Sequence, residues 1–281
     1  MRSKSLSLKI IVFLVLIALS FAYLLPIYVM VTTALKTPQE INQRNYLSIT
    51  TDPQFKNFVE VLVGSDRLRT PMGPALVNSL IISVTVTALA AFFGGLAGYY
   101  LSRSKSRFTR VLFVLVGIAL YMPYQAVIIP LFVLMARTGL SQNHLGFIVS
   151  YLVLNLPYAT VLMGTFFLSV PRELEESAAI DGASRIQTFF RIVTPISMPA
   201  YVSVAIIIFT QVWNEFFLAL TLSNPQTQTV QVVMAGTKGT TLVYYDLQMA
   251  AALVTVALPL LLFLFLGRYF IRGILAGALK G

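Results

Sequence analysis

Long apolar segments without a charged residue alternate with short charged segments along this chain. No Asp, Glu, Lys or Arg occurs within residues 10–35, 70–102 or 111–136, and the only one within residues 192–237 is Glu215. A helix of about 20 apolar residues crosses the roughly 30 Å hydrocarbon core of a bilayer. The pattern therefore predicts an all-α polytopic membrane protein with six transmembrane helices, near residues 10–35, 76–101, 111–136, 146–169, 200–222 and 248–269.

The first apolar segment follows the basic stretch MRSKSLSLK, as in a secretory signal peptide. Its apolar run continues past any small-residue cleavage site, and we interpret it as an uncleaved anchor. The distribution of Lys and Arg gives the orientation, because cytoplasmic loops are enriched in both. With the N terminus inside, the inner segments carry thirteen of the 20 Lys and Arg residues. Both termini are therefore predicted to be cytoplasmic.

The amino-acid composition limits the class of protein and the kinds of functional site that this chain can have. Hydrophobic residues make up 57% of the chain and charged residues only 11%, whereas a soluble domain is about 25% charged. The chain has no cysteine and a single histidine, His144, which excludes disulfides and leaves little for metal or acid–base chemistry. The net charge of +10 does not predict nucleic-acid binding, since the cations flank apolar segments. No G-x-x-x-x-G-K-[ST] motif occurs, so ATP is not expected to bind this chain through a phosphate-binding loop.

Residues 171–199 separate the fourth and fifth predicted spans and are too polar to cross a bilayer. Acidic residues open a first helix, and Gly182 is expected to end it in a tight turn. Ser184 and Gln187 form the S-x-x-Q capping box of a second helix, which Pro195 is expected to end. By itself this arrangement fits a loop that only seats on the membrane as well as one that docks a partner. The second helix is predicted to carry an apolar stripe of Ile186, Phe189, Phe190 and Val193.

The stretch EESAAIDGASRIQTFFRIVTP resembles the EAA loop of bacterial ABC importer permeases. That motif reads E-A-A, three residues, G, nine residues, I-x-L-P, and here it starts at Glu176. Two positions depart from it, with Ser177 in place of Ala and Thr194 in place of Leu, but the spacing is intact. The resemblance implies that the loop seats on an ATPase subunit. The residues so implied are Glu175, Glu176, Ser177, Ala178, Asp181, Gly182, Ala183 and Pro195.

Other motifs are similar to those of the smaller permease subunit of maltose-type carbohydrate importers. They are NSL at residues 78–80, WNEFFLAL at 213–220 and the tail RGILAGALKG at 272–281. The resemblance is weakest in residues 36–72. It implies a type I ABC importer permease fold in a bacterial inner membrane, without a catalytic site, cofactor or metal of its own. It also implies a di- or oligosaccharide substrate and four kinds of partner: a second permease, two ATPase subunits that carry ATP and Mg, an extracytoplasmic solute-binding protein and membrane lipid.

The resemblance divides the chain into an N-terminal anchor with the first outer loop (1–72), a permease core (73–268) and a cytoplasmic tail (269–281). It implies a tail that reaches the ATPase interface through Gly273, Gly277, Lys280 and Gly281. It also implies an outer loop that reaches the binding protein, or only docks it, through Gly236, Thr237, Lys238 and Gly239. A candidate translocation path, for which contacts between helices are the alternative, is marked by Trp213, Asn214 and Glu215.

Two other kinds of function are alternatives to the permease subunit of an ABC importer. A secondary transporter driven by an ion gradient needs charged or coordinating groups near the membrane midplane, and the spans offer only Glu215. A membrane-embedded enzyme needs a set of catalytic groups, which one histidine and no cysteine do not readily provide. Gly94 and Gly98, at G-x-x-x-G spacing, predict close helix packing. Kinks are expected at four of the prolines within spans, which are Pro123, Pro130, Pro157 and Pro259.

Overall fold

A computed structural model describes residues 2–43, 46–237 and 244–278, with the backbone alone for 2–7 and 268–278. Regular structure in these ranges is helical. The chain divides into two compact units, Met1–Gly73 with Val233–Ala257, and Pro74–Val232 with Leu258–Gly281. The first helices are α1 (Arg2–Ala34), α2 (Pro38–Asn42), α3 (Lys56–Val63), α4 (Met72–Arg103), α5 (Arg107–Ala119), α6 (Gln125–Arg137) and α7 (His144–Ser169). They are followed by α8 (Glu173–Ile180), α9 (Arg185–Thr188), a π-helical segment (Phe189–Val193), α10 (Thr194–Ile196), α11 (Met198–Asn214), α12 (Phe217–Leu222), α13 (Val230–Gly236) and α14 (Tyr245–Ala278).

Four of the predicted spans are present as unbroken helices. They are the first, second, fourth and sixth, and each is long and apolar enough to cross a membrane. α14 continues beyond its apolar part to Ala278, so the described part of the predicted tail is helical. The apolar stretches are Leu8–Ala34, Met72–Arg103, His144–Ser169 and Tyr245–Gly267.

The prediction of one continuous helix at residues 111–136 is wrong. The chain forms two helices of 13 residues there, α5 and α6, with residues 120–124 between them. Pro123 lies in this break. It lacks a backbone N–H and disfavours helical angles at the residue before it, so here it separates two helices instead of kinking one. The other three prolines expected to kink spans lie inside helices.

The prediction of one continuous helix at residues 200–222 is also wrong. α11 ends at Asn214, Glu215 has extended backbone angles (φ −73°, ψ 130°), and α12 begins at Phe217. At its N-terminal end, α11 meets the preceding Arg185–Ile196 segment at an angle of 76°. The fifth span is therefore assembled from pieces, and Glu215 occupies one of the joints.

α4 and α7 pack closely through small residues. A Cβ added to Gly98 would lie 2.7 Å from the backbone oxygen of Thr160 and 2.7 Å from the backbone nitrogen of Gly164, and one added to Gly94 would overlap Ala159. The close packing predicted from the G-x-x-x-G spacing is confirmed. Around this contact lies an apolar core that includes Ile82, Val86, Phe147, Met163, Phe167, Val204, Ile208 and Val212.

Polar groups hold the first predicted outer loop in the unit that contains α1. Asn57 donates from Nδ2 to the backbone oxygen of Ala34 at 2.9 Å. Arg67 pairs with Glu60 at 2.7 Å and with Asp246 at 2.6 Å, and the Asp246 side chain is only 1% exposed. The loop is thus fixed to the end of α1 and to the start of α14.

We expect Gly98→Leu to disrupt the packing of α4 on α7, because the added side chain meets backbone atoms. Overpacking a tight contact costs about 1–3 kcal/mol and occasionally more. The folded yield and melting temperature of the purified protein in detergent measure this effect. Gly117→Leu is the matched control, since nothing lies within 4 Å of a Cβ at Gly117. An equal loss in the two variants would contradict the packing role.

Candidate functional site

Segment 171–199 begins with a helix that ends in a glycine turn. At the C terminus of α8, the backbone N–H of Gly182 donates to Ala179 O at 3.1 Å, and that of Ala183 donates to Ala178 O at 2.9 Å. These two bonds form a Schellman motif, in which the residue after the helix takes a left-handed conformation. Gly182 has a φ of 83°, which glycine adopts without a steric penalty. The predicted end of the first helix is confirmed.

The second helix starts at the predicted capping box. Ser184 Oγ accepts from the backbone N–H of Gln187 at 3.3 Å, and Gln187 Oε1 accepts from the backbone N–H of Ser184 at 2.8 Å. Both residues therefore satisfy backbone donors that the first turn of a helix leaves without a partner. The two caps fix the angle at which the chain turns between α8 and α9.

The predicted end of that helix and its single apolar stripe are wrong. The chain widens into a π-helical segment after α9 and then continues through Pro195. Pro195 cannot donate to the carbonyl four residues earlier, and the wider turn before it accommodates the missing bond. The wider turn also rotates the helix face. Phe189 and Val193 are 3% and 0% exposed, whereas Ile186 and Phe190 are 71% and 46% exposed.

The two adjacent glutamates of the motif have opposite surroundings. Glu175 Oε1 pairs with Arg103 Nη2 at 2.7 Å, and Glu175 Oε2 accepts from the hydroxyl of Tyr99 at 2.8 Å. Arg103 Nη2 also donates to Val170 O at 2.8 Å. The Arg103 and Glu175 side chains are 12% and 18% exposed. Glu176 is exposed, and its carboxylate has no partner among the described residues.

The remaining motif residues form a mostly exposed surface around the turn. Nothing lies within 4 Å of a Cβ built on Gly182, so the turn presents open space to a neighbouring molecule. Ser177 Oγ donates to Glu173 O at 2.8 Å and so stays on its own helix. The exposed motif residues are Glu176, Ser177, Asp181, Gly182 and Pro195, with Glu175 and Ala183 half-buried and Ala178 buried.

The three candidate path residues lie in different surroundings. Trp213 is 2% exposed, and its ring stacks on that of Phe209 with centroids 5.6 Å apart. Asn214 is exposed, and its Oδ1 accepts from Gln231 Nε2 at 3.1 Å. Glu215 lies in the break between α11 and α12. Of the three, Asn214 is the one whose side chain is exposed.

The Glu215 carboxylate accepts four hydrogen bonds. Two come from the backbone N–H groups of Leu218 (2.9 Å) and Ala219 (3.0 Å) at the start of α12. The other two come from the hydroxyls of Tyr124 (3.2 Å) and Tyr151 (2.7 Å). Glu215 therefore caps α12 and ties it to α7 and to the break before α6. Sequence reasoning identified the acid but missed this capping role, for which an acidic residue just before an apolar helical stretch is the signal.

The NSL motif fixes the segment that precedes α13. Asn78 Nδ2 donates to the backbone oxygens of Gln226 (2.9 Å) and Gln228 (3.0 Å). Ser79 Oγ accepts from the backbone N–H of Val230 at 2.8 Å, the first residue of α13. Sequence reasoning recognised the motif but gave these side chains no role, because no local pattern links residues so far apart in the chain.

The other candidate contact residues stay predictions. Gly236 ends α13, and the Thr237 hydroxyl donates to Met234 O at 2.7 Å. Gly273 and Gly277 are part of α14. Outside the described residues lie Lys238, Gly239, Lys280 and Gly281.

Residues 90–276 match the family described as "Binding-protein-dependent transport system inner membrane component". The matched range contains the glycine turn, both broken spans and the Glu215 cap. The chain belongs to this family. It is therefore a multi-pass membrane component of a transport system, as the EAA-like spacing led us to expect.

Relatives of this family member include sugar import permeases. It is 33% identical to the glucose import system permease protein GlcU of Saccharolobus solfataricus, over 94% of this chain and 92% of GlcU. It is 31% identical to the melibiose/raffinose/stachyose import permease protein MelC of Bacillus subtilis, over 92% of each chain. These matches do not support a secondary transporter or a membrane-embedded enzyme.

The fold is shared with a chain of a bacterial ABC transporter involved in the import of the acidic polysaccharide alginate. The TM-score is 0.83 at 19% identity, over 96% of this chain and 98% of the other. A chain of the MetNI methionine ABC transporter gives a TM-score of 0.56 over 72% of this chain. The permease therefore has the type I ABC importer permease fold.

We expect Glu215→Gln to destabilise the permease. The Glu215 carboxylate offers two acceptor oxygens to its four donors, whereas the amide of Gln offers only one. Leaving a buried donor unsatisfied costs about 1–3 kcal/mol. Melting temperature in detergent measures the loss, with the exposed neighbour variant Asn214→Ala as the control. Tyr151→Phe should lower the melting temperature less in the Glu215→Gln variant than in the native protein, because the hydrogen bond between Tyr151 and Glu215 is already weakened there. A Glu215→Gln variant that melts with the native protein would contradict the capping role.

Proposed function

We propose that this chain is the permease subunit of an ATP-driven, binding-protein-dependent carbohydrate importer, with di- or oligosaccharides as substrates. In the cell membrane it pairs with a second permease, takes substrate from an extracytoplasmic binding protein and is driven by two ATPase subunits that hold ATP and Mg. The observation that carries the proposal is the ordered, exposed loop surface around Gly182 in a chain of this transport family. The sugars named for GlcU and MelC support the substrate class.

The loop surface has the chemistry of a docking site for an ATPase subunit. Ile180 and Ile186, on either side of the turn, are 86% and 71% exposed. Apolar side chains exposed together indicate a contact surface for another protein. The unpaired carboxylate of Glu176 lies beside them and meets a cation of the partner. At Gly182, the open space admits the partner's surface close to the backbone.

The pair of Arg103 and Glu175 carries movement of the docked loop into the membrane. It joins α8 to the end of α4, and the bond from Arg103 to Val170 O ties in the segment that follows α7. Separating this largely buried ion pair would leave both charges without a partner, which is unfavourable. When closure of the ATPase dimer displaces α8, the ends of α4 and α7 therefore move with it.

The translocation path follows the broken spans. Non-helical backbone at membrane depth occurs where it is buried in protein or lines a water-filled cavity. Two such breaks meet at Glu215, one before α6 and one before α12. Asn214 is exposed beside this point and is the residue we assign to the path, while Trp213 and Glu215 hold it in position from the protein side.

We expect Gly182→Trp to uncouple ATP hydrolysis from transport, because the indole fills the space that the ATPase surface needs. The reconstituted complex should bind the binding protein and hydrolyse ATP, yet import on the order of tenfold less sugar per ATP, an effect of the size typical of lost coupling between sites. Sugar uptake and phosphate release measured in the same proteoliposomes give this ratio.

Gly139→Trp is the matched control for Gly182→Trp. Gly139 also has a positive φ (72°), and nothing lies within 4 Å of its Cβ position, so the backbone strain is the same at both sites. Gly182→Asn tests the turn itself, since Asn tolerates the left-handed conformation and should stay coupled. A Gly182→Trp complex with the native ratio of sugar to ATP would reject the docking surface.

We expect Arg103→Glu and Glu175→Arg each to lower the ratio of sugar imported to ATP hydrolysed, and the double variant to recover part of it. Each single variant places two like charges at the contact, whereas the double variant restores an opposite pair. ATPase activity measured without the binding protein shows that the variant complex is assembled. A purely structural defect would lower the yield of the complex but leave the ratio of sugar imported to ATP hydrolysed unchanged. Single variants with the native ratio would show that α4 does not receive the motion through this pair.

A further inference from the structure

The single histidine of the chain, His144, contacts an asparagine on another helix. His144 is the first residue of α7, and its Nε2 lies 2.9 Å from Asn78 Oδ1 on α4. Asn78 Nδ2 already donates both of its hydrogens, to Gln226 O at 2.9 Å and to Gln228 O at 3.0 Å. Asn78 Oδ1 can only accept, so His144 Nε2 is the donor and carries a hydrogen. The amide of Asn78 therefore has partners on both sides.

The segment 224–230, which we call the outer segment, is held along its length. Asn224 folds its first half, since Asn224 Oδ1 accepts from the backbone N–H groups of the second and third residues after it at 2.9 and 3.0 Å. Asn224 Nδ2 donates to Gln142 O at 3.2 Å. At the other end, the backbone N–H of Val230 donates to Ser79 Oγ at 2.8 Å. The outer segment is thus held at both ends as well as by the two amide bonds in its middle.

The outer segment is not helical before Val230, so its conformation depends on the side chains of α4 and on its own asparagine. Thr227 and Thr229 are buried, whereas Pro225 and Gln226 are exposed. Surface connections that lack such contacts are usually mobile. This one instead presents Pro225 and Gln226 in a fixed turn.

The position and chemistry of the outer segment indicate the kind of partner that it meets. In the orientation predicted from Lys and Arg it lies outside the membrane, and it leads into α13, which ends at the candidate contact residue Gly236. The outer segment contains no Asp, Glu, Lys or Arg, so long-range attraction between charges cannot supply its affinity for a protein. Shape and hydrogen bonds must supply it, and both need a defined conformation. A segment that is ordered before binding also loses less conformational entropy when it binds.

We propose that Asn78 is a positioning residue for substrate delivery, because it keeps the outer segment in the conformation that the extracytoplasmic binding protein meets. His144 supports this role by holding the Asn78 amide with its nitrogen toward the two carbonyls. The inference rests on the proposed function, since it requires a binding protein as the partner. It goes beyond that function by naming the surface that the binding protein contacts and two side chains that set the affinity of this contact.

Hydrogen–deuterium exchange of the complete transporter in nanodiscs tests whether Asn78 holds the outer segment. We expect peptides that cover the outer segment to exchange on the order of tenfold faster in Asn78→Ala than in the native protein, because the segment opens more often once two hydrogen bonds are lost. Asn155→Ala is the matched control, since Asn155 is a buried amide that donates to Tyr151 O on its own helix at 2.8 Å. This control should leave the exchange unchanged. Native exchange in Asn78→Ala would overturn the proposal.

ATP hydrolysis by the reconstituted transporter tests the delivery role, with the binding protein loaded with glucose or raffinose, sugars named for GlcU and MelC, as the probe. We expect Asn78→Ala to raise the concentration of binding protein that gives half-maximal stimulation on the order of tenfold, with the rate at saturation near the native value. His144→Leu should raise this concentration less. His144→Gln should restore it, because a Gln amide donates to Asn78 Oδ1 in place of the imidazole. A purely structural role would lower the yield of the complex in Asn78→Ala, as in Asn155→Ala, and leave the half-maximal concentration unchanged.

The positioning role and the proposed function fail on different results. A native transporter that neither sugar-loaded form of the binding protein stimulates would reject the proposed function, and with it the delivery role. Stimulation of the native transporter together with the same half-maximal concentration in Asn78→Ala would reject the positioning role alone. A His144→Gln variant as impaired as His144→Leu would overturn the role given to His144.

Discussion

A helix that stops inside a membrane exposes backbone N–H groups that lipid cannot satisfy, and much of this structure depends on how those groups are satisfied. At the break in the fifth span, the Glu215 carboxylate accepts the first free N–H groups of α12. The hydroxyls of Tyr124 and Tyr151 complete its hydrogen bonds. The Glu215 side chain therefore takes the place of the backbone carbonyls that a preceding helical turn would supply.

The same requirement is met at the ends of other helices, by near neighbours in the chain or by side chains of another helix. Gly182 lets α8 end with its last carbonyls bonded, and Ser184 with Gln187 satisfies the first N–H groups of α9. Asn78 and Ser79 satisfy backbone groups before α13 from another helix. The loop surface proposed to meet the ATPase is thus ordered by its own caps, and docking need not fold it.

Local patterns predicted what depends on neighbouring residues, and missed what depends on distant ones. The caps at Gly182 and Ser184 follow from a few adjacent residues, and four spans follow from the length of apolar runs. The break at Glu215 did not follow, because hydropathy registers the apolar residues around it and takes no account of the tyrosines that stabilise the carboxylate. The inward orientation of Glu175 was equally hidden, since Arg103 lies 72 positions earlier in the chain.

The π-helical segment at Phe189–Val193 gives the loop two different connections to the spans. The π turn interrupts the α-helical hydrogen-bond pattern and is followed by a bend of 76°, so α9 and α11 do not form one straight helix. The connection from α8 to α4 instead runs through one ion pair of 2.7 Å between Glu175 and Arg103. If an ATPase docks on the loop as proposed, a force on the loop reaches α4 through this ion pair, and the bent joint before α11 is the place where the chain can turn.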